Sequence, residues 1–344
     1  MTTKPTRTPE PTPLLSVDDL TVRVPGTARP LLDSVSLRVA EGEVVALVGE
    51  SGSGKSTTAK AALALLPANA TTGGSVRVAG ADVLTLRGEE LRTHRALTVA
   101  MIHQDPRAAL NPVRRIGDFL TERGATKEGA ADLLAAVGLS EPARRLRQRP
   151  HELSGGMLQR VVIAGALAAR PRLLLADEAT SALDVTTQAE ILTLLREARA
   201  TQGAGLLFIT HDLHLAAAYC DRVYVMYAGR VVEHRTARAL FTAPAHPYTR
   251  GLLSCSPTLG DTRALHPIPG RPPSLSDAFE GCPFVSRCTE AEDECRTWTP
   301  TADGLDDGGE VSCRLASGSP PPGAAGWARR TLAPSNDKEG ASPK

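Results

Sequence analysis

Aromatic side chains are scarce in this sequence, at 3% of 344 residues. A stacking platform for single-stranded nucleic acid draws on such rings, so the composition speaks against that class of partner. Neither sign of charge is in excess: 39 basic residues face 38 acidic ones, a net charge of +1. No global field therefore favours nucleic acid or an acidic partner. Long apolar runs are missing as well. The clearest are Ala61 to Ala68 and Val161 to Ala169, far short of the roughly 20 residues a spanning helix needs. The N-terminus, MTTKPTRTPEPTP, has no apolar core of a signal peptide. The expectation is a soluble, cytoplasmic chain whose membrane role, if any, comes through partners.

What is present falls into four stretches. Residues 1–13 are rich in Pro and Thr and read as disordered. Residues 14–243 alternate β-rich and helical patterns and read as one α/β domain, with no internal repeat. Residues 244–315 hold four of the six cysteines and many prolines, and read as a small appendix. Residues 316–344 read as a flexible tail.

A phosphate cradle stands near the start. Val44 to Val48 is a short apolar run, as in a strand buried on both faces. Gly49-Glu50-Ser51-Gly52-Ser53-Gly54-Lys55-Ser56-Thr57 follows, and Thr58 to Leu66 reads as a helix ended at Pro67. This is G-x-x-x-x-G-K-[ST] in its strand–loop–helix setting. Glycines let backbone N–H groups converge on phosphate oxygens, and a helix N-terminus adds positive potential. Lys55 then binds the β- and γ-phosphates of ATP, and the Ser56 hydroxyl ligates Mg²⁺.

A second apolar run, Leu173 to Ala176, ends in Asp177-Glu178. Acids at the carboxyl end of a parallel strand face the crevice where ligands bind. Asp177 is expected in the Mg²⁺ shell, and Glu178 is expected to polarise the attacking water. Neighbours on a strand point to opposite faces, so the two share one site only if the chain turns there.

Leu153-Ser154-Gly155-Gly156-Met157-Leu158-Gln159-Arg160 precedes a helical run that ends near Pro171. Ser154 can cap that helix, and the two glycines leave its first N–H groups open, a second anion site. This segment resembles the signature motif of ABC transporter ATPases. With the cradle and the Asp-Glu strand, the chain is identified as a member of that family over residues 14 to about 240. The resemblance implies an α/β, ABC-type P-loop nucleotide-binding domain: a RecA-like core, an antiparallel β subdomain, and a helical subdomain at about 105–165. It implies head-to-tail pairing, in which Ser154, Gly155 and Gly156 cap the γ-phosphate held by the other cassette. Gln104 resembles the Q-loop glutamine that touches Mg²⁺ and senses the transmembrane partner. Ser181 to Asp184 looks like the D-loop. His211, after the apolar strand Leu206 to Thr210, resembles the switch histidine at the γ-phosphate.

Further segments resemble the dipeptide, oligopeptide and nickel importers: Gln104 to Pro112, Pro150 to Leu153, His246 to Leu253, Ile268 to Gly270 and Gly281 to Phe284. That resemblance implies a second, related ATPase subunit, two transmembrane permease subunits and an extracytoplasmic binding protein that selects the solute. It places the chain on the cytoplasmic face of the membrane. Some positions depart from the pattern. Ala179 stands where Pro is usual, Leu158 where a basic or polar residue is common, and Leu20 to Pro25 lacks an aromatic to stack on adenine. A soluble ABC ATPase of DNA repair or translation is the alternative. Its long insertions are missing from the roughly 100 residues between Lys55 and Ser154. A catalytically dead subunit disagrees with intact Lys55, Asp177, Glu178 and His211.

Cys282, Cys288, Cys295 and Cys313 cluster in the appendix, while Cys220 and Cys255 stand apart. A cytosolic chain seldom forms disulfides, so clustered thiols suggest a metal. The spacing lacks the C-x₂-C knuckles of structural zinc. Four thiolates can hold a [4Fe–4S] cluster, and the resemblance to the peptide importers allows that reading. Zinc and simple reduced thiols remain the alternatives. Separate domains would leave ATP binding at Lys55 largely independent of Cys288.

Overall fold

The computed structural model describes residues 13–179, 185–256 and 267–316. The disorder expected of the first 12 residues and of the tail beyond residue 316 lies outside them, as does the D-loop Ser181 to Asp184. Two compact units result: residues 1–45 with 54–209, and residues 46–53 with 210–344.

In the first unit, strands β1 (Leu15–Arg23), β2 (Leu32–Val39), β4 (Thr71–Val78) and β5 (Ala81–Asp82) form an antiparallel sheet in the order β2-β1-β4-β5. Strand β2 alternates buried and exposed side chains, the pattern of a sheet wet on one face. Strands β6 (Val99–Ile102), β7 (Leu173–Asp177) and β8 (Gly205–Ile209) run parallel, with Ile102 opposite Ala176 and Asp177 opposite Ile209. Strand β3 (Val44–Val48), whose residues from Ala46 on belong to the second unit, is buried at every position, as are β7 and β8. That is why these strands read as unbroken apolar runs rather than as alternation. The helices of this unit are α1 (Lys55–Ala61), α2 (Gly88–Thr93), α3 (Ile116–Glu122), α4 (Gly129–Ala136), α5 (Pro142–Arg145), α6 (Gly155–Ala168) and α7 (Val185–Gln202).

Helix α1 starts earlier and stops sooner than the pattern predicts. It does not run to Pro67. Ala64 takes a left-handed φ of +51°, and the Leu65 N–H donates back to the Lys60 carbonyl at 3.0 Å. That six-to-one bond closes off the end of the helix, whose last residue, Ala61, is well short of the proline.

In the second unit, β9 (Arg222–Tyr227) and β10 (Arg230–Thr236) form a hairpin, joined by β12 (Glu310–Val311) and β11 (Asp303–Gly304). Helices α8 (Leu213–Tyr219), α9 (Ala237–Thr242) and α10 (Pro247–Ser254) accompany them. The chain's few aromatics are concentrated here. Tyr227 of β9, Tyr248 of α10 and Phe284 of the cysteine segment pack with centroids 4.6, 5.2 and 5.3 Å apart. Such pairs add about 0.5–1.5 kcal/mol each beyond area burial.

The His-Pro-Tyr run that opens α10 has a physical logic. Pro247 sits at the first turn, where its missing N–H costs nothing. His246 caps the helix, its Nδ1 accepting the Tyr248 N–H at 3.0 Å. Complete burial lowers the His246 pKa to about 3, which keeps that nitrogen free to accept. Buried Glu233 takes the N–H groups of Ala245 and His246 at 2.8 and 2.9 Å.

Candidate active site

The polar corner of the first unit forms where β7 ends. Lys55 opens α1 and is 6% exposed. One residue on, the Ser56 hydroxyl donates to an Asp177 carboxylate oxygen at 2.9 Å. Burial pushes the Asp177 carboxyl up, against the pull of the Ser56 hydrogen bond. An anion so desolvated favours an added cation, which fits the Mg²⁺ expected at Ser56 and Asp177. Glu178 meets the condition set by its neighbour. The strand stops at Asp177, and Glu178 takes a left-handed φ of +47°, so the chain turns between the two acids. The Glu178 carboxylate accepts a hydrogen bond from Gln104 Nε2 at 2.7 Å, 74 residues upstream. Gln159 Nε2 in turn donates to the His103 carbonyl at 3.3 Å, tying α6 to the segment that carries Gln104.

Ser154 caps α6, its hydroxyl accepting the Met157 N–H at 3.3 Å. Ser154 and Gly155 are exposed, and a side chain at Gly155 would meet nothing within 4 Å. The two departures nearby have simple reasons. Leu158 is 1% exposed and Ala179 is fully buried, so both pack into the interior.

The first half of the phosphate loop belongs to the second unit. Gly49 has φ +150°, and a Cβ there would meet the Met226 carbonyl at 2.2 Å, so no other residue fits. Gly52 and Gly54 have φ +78° and +106°, the left-handed region that favours glycine. The Ser53 hydroxyl is buried without a hydrogen-bond partner among the described residues, an orphan that suits a loop awaiting a ligand. Glu50 is engaged elsewhere. Its carboxylate takes two hydrogen bonds from Arg287, at 2.6 and 3.0 Å, and its N–H donates to the Tyr248 hydroxyl at 2.9 Å. The sequence pattern did not single out Arg287. Its signal was a lone Arg in the run Cys282 to Cys288, in a chain whose phosphate loop carries an acid. His211 is exposed just after β8, and the next residue, Asp212, caps α8.

Cys282, Cys288, Cys295 and Cys313 line one small cavity of about 20 Å³ with His246, Phe284 and Trp298. All four thiols are free. Burial pushes Cys282 and Cys288 up and Cys313 to about 11, with the neighbouring thiols adding to the shift. Among the described residues, no three His, Cys, Asp or Glu stand close enough to hold one metal ion. That supports neither the expected iron–sulfur cluster nor the zinc alternative.

Comparison with known proteins agrees with this geometry. Residues 32–181 match the family model described as ABC transporter, and residues 232–295 match that of the oligopeptide/dipeptide transporter, C-terminal region. The oligopeptide transport ATP-binding protein OppD of Salmonella typhimurium is 44% identical over 308 residues, 86% of this chain and 92% of its own. The dipeptide transport ATP-binding protein DppD of Escherichia coli is 42% identical over 313 residues, 87% of this chain and 96% of its own. OppD of Mycobacterium tuberculosis is 48% identical over 302 residues, and the chain spans about half, 49%, of that longer relative. A bacterial ABC transporter cassette solved as a dimer superposes with TM-score 0.59 at 29% identity, over 65% of this chain and 98% of that one. A dimeric post-hydrolysis state of the same cassette, bound to ADP and Pi, gives 0.58.

The parallel core, the antiparallel sheet and the ordered motifs are those of an ABC-type ATPase cassette. The chain belongs to the family of ABC transporter ATP-binding proteins, in its oligopeptide/dipeptide group. The family expected from the signature and the phosphate cradle is therefore borne out.

Proposed function

We propose that this chain is the ATP-hydrolysing subunit of an importer for oligopeptides or dipeptides. The observation that carries the reading is a conjunction in one chain. The chain carries both a bonded Ser56–Asp177 and Gln104–Glu178 corner and, further along the sequence, a C-terminal region of the oligopeptide/dipeptide type. Relatives with the same two regions are named as oligopeptide and dipeptide transport proteins, which favours peptide over nickel.

Lys55 binds the β- and γ-phosphates of ATP, with the loop Gly49 to Thr57 around them. Ser56, Asp177 and Gln104 hold Mg²⁺, which neutralises phosphate charge when bound. Glu178 orients and polarises the attacking water, and His211 donates to the γ-phosphate. Positioning and electrostatics carry the reaction, and no covalent intermediate is required. Ser154, Gly155, Gly156 and Asp184 serve the nucleotide of a second, related cassette. Gln104 passes the state of the site to two permease subunits, and an extracytoplasmic binding protein supplies the solute. No helix among the described residues is long and apolar enough to cross a membrane, so attachment is through those permeases.

The cysteine segment holds a [4Fe–4S] cluster through Cys282, Cys288, Cys295 and Cys313. The donor set suits it: four thiols line one apolar cavity. Among the described residues no three such side chains are set to hold a metal, so the segment would have to rearrange to take a cluster. The cavity of about 20 Å³ must widen to admit it. The cluster acts as a cross-link in a segment with few regular elements.

The test is co-expression with candidate permeases and a sister cassette, then purification in detergent. The expected result is a membrane complex with peptide-stimulated ATPase activity that Lys55→Ala abolishes. Recovery of ribosomes or nucleic acid in place of permeases would overturn the transport reading. Near-normal turnover in Lys55→Ala would overturn the assignment of the cradle.

A further inference from the structure

Glu50 lies inside the phosphate loop, where a carboxylate is out of place. The loop is there to receive a polyanion on glycine N–H groups. A fixed negative charge a few ångströms from phosphate opposes binding unless it is paired. The structure pairs it with Arg287, whose two terminal nitrogens meet the two carboxylate oxygens as a fork, at 2.6 and 3.0 Å.

Arg287 is itself immobilised. Its side chain is 3% exposed. Its Nε donates to the Pro269 carbonyl at 2.8 Å, and one terminal nitrogen also reaches the Tyr227 hydroxyl at 3.3 Å. The guanidinium lies 5.7 and 6.0 Å from the ring centres of Tyr227 and Phe284. On the other side of Glu50, the Tyr248 hydroxyl holds its N–H. Both grips come from beyond residue 240, and Arg287 is the residue before Cys288. This bond bears on the expectation that the appendix is independent of the ATP site, because it ties Glu50 to the appendix.

We propose that Arg287 is a positioning residue for ATP, which neutralises and fixes Glu50 and so makes the phosphate loop depend on the cysteine-bearing segment. The inference rests on the ATP reading of Gly49 to Thr57. It does not rest on a metal at the cysteines. Arg287 touches no phosphate; it acts through Glu50. A bond that merely glued the appendix in place would leave nucleotide affinity alone once the protein had folded. The charge argument predicts rescue instead: removing Arg287 harms binding because it bares Glu50, so neutralising Glu50 repairs the harm.

The experiment is equilibrium binding of MgATP to the full chain, read by displacement of a ribose-labelled fluorescent ATP. Thermal unfolding without nucleotide serves as the folding control. Arg287→Ala weakens binding about tenfold, and the double variant Arg287→Ala with Glu50→Gln recovers to within about threefold of wild type. Arg287→Lys keeps the charge and loses the fork, and falls in between, at about threefold weaker. In turnover assays of the assembled complex, KM for ATP rises while kcat at saturation holds. Arg287→Ala at wild-type affinity, or a double variant no better than the single one, overturns the proposal. If Arg287→Ala does not fold, the double variant and Arg287→Lys decide alone, and a lysine variant at wild-type affinity is again fatal. Wild-type chain that fails to bind MgATP ends both this inference and the ATP reading, whereas tight wild-type binding with indifferent variants ends only this one.

Discussion

In the first unit, Ser56 donates to Asp177 and Gln104 donates to Glu178, so the acids of that corner already have partners. In the second, Cys282, Cys288 and Cys313 line an apolar cavity, with burial raising each thiol. The first cluster is arranged to act without reorganising, as a site that stabilises developing charge should be. The second is arranged to change protonation. Thiols held neutral by burial give up protons only to something that repays the desolvation, and a metal does so. One chain thus carries a corner whose acids are already paired and a pocket whose thiols burial holds neutral.

The largest expected effect breaks the first side of this comparison. Glu178→Gln keeps the shape of the turn after β7 and a partner for Gln104, and it removes the base. Turnover should fall by roughly 10²–10⁴, while MgATP still binds and ATP-dependent dimers accumulate. Phosphate release and size-exclusion profiles check both halves. Normal turnover would dismiss Glu178 as the activating base.

Cys288→Ser breaks the second side. Anaerobically purified wild type should be brown, with about four irons per chain and broad absorption near about 400 nm. The serine variant should lose the colour and the iron. It should also weaken MgATP binding by about threefold or more, because the next residue back is Arg287, whose fork holds Glu50. Colourless, iron-free wild type would dismiss the cluster and leave the ATPase assignment untouched. Loss of iron with ATP affinity unchanged would separate the two sites after all.

How much of each cluster could be read from the residues follows the same division. The cradle, the Asp-Glu strand and the signature are contiguous motifs whose chemistry is local, so Lys55, Asp177 and Ser154 were legible by position. The bonds between them were not. Ser56 and Asp177, 121 residues apart, were joined only through a shared Mg²⁺, and Gln104 and Glu178, 74 apart, only through the family resemblance. The turn that lets Asp177 and Glu178 share a corner depends on a left-handed φ that the residue type does not announce. The end of α1 was misread for a related reason, since Ala64 adopts the conformation usually left to glycine. In the appendix, the thiol count was legible and the fold was not. Its contacts come from single residues, such as Arg287 and Phe284, that belong to no periodic pattern.

The smallest change tests which of two grips on the phosphate loop dominates. Tyr248 is fully buried against Tyr227 and Phe284, and its hydroxyl accepts the Glu50 N–H at 2.9 Å. Burial raises the pKa of that hydroxyl, so it stays neutral across the working range and its role is that of an acceptor. Tyr248→Phe removes only the oxygen. The ring packing persists, and so does the Arg287 fork on the carboxylate of the same residue. What is lost is one neutral hydrogen bond, about 1 kcal/mol, or about fivefold in MgATP affinity if the whole loss falls on the bound state. A charge-assisted, bidentate pair is roughly twice as strong as a neutral bond, so Tyr248→Phe should stay milder than Arg287→Ala in the same titration. A drop well beyond tenfold would reverse that order. It would mean that the direction of the Glu50 N–H, rather than the charge of its side chain, sets the shape of the loop.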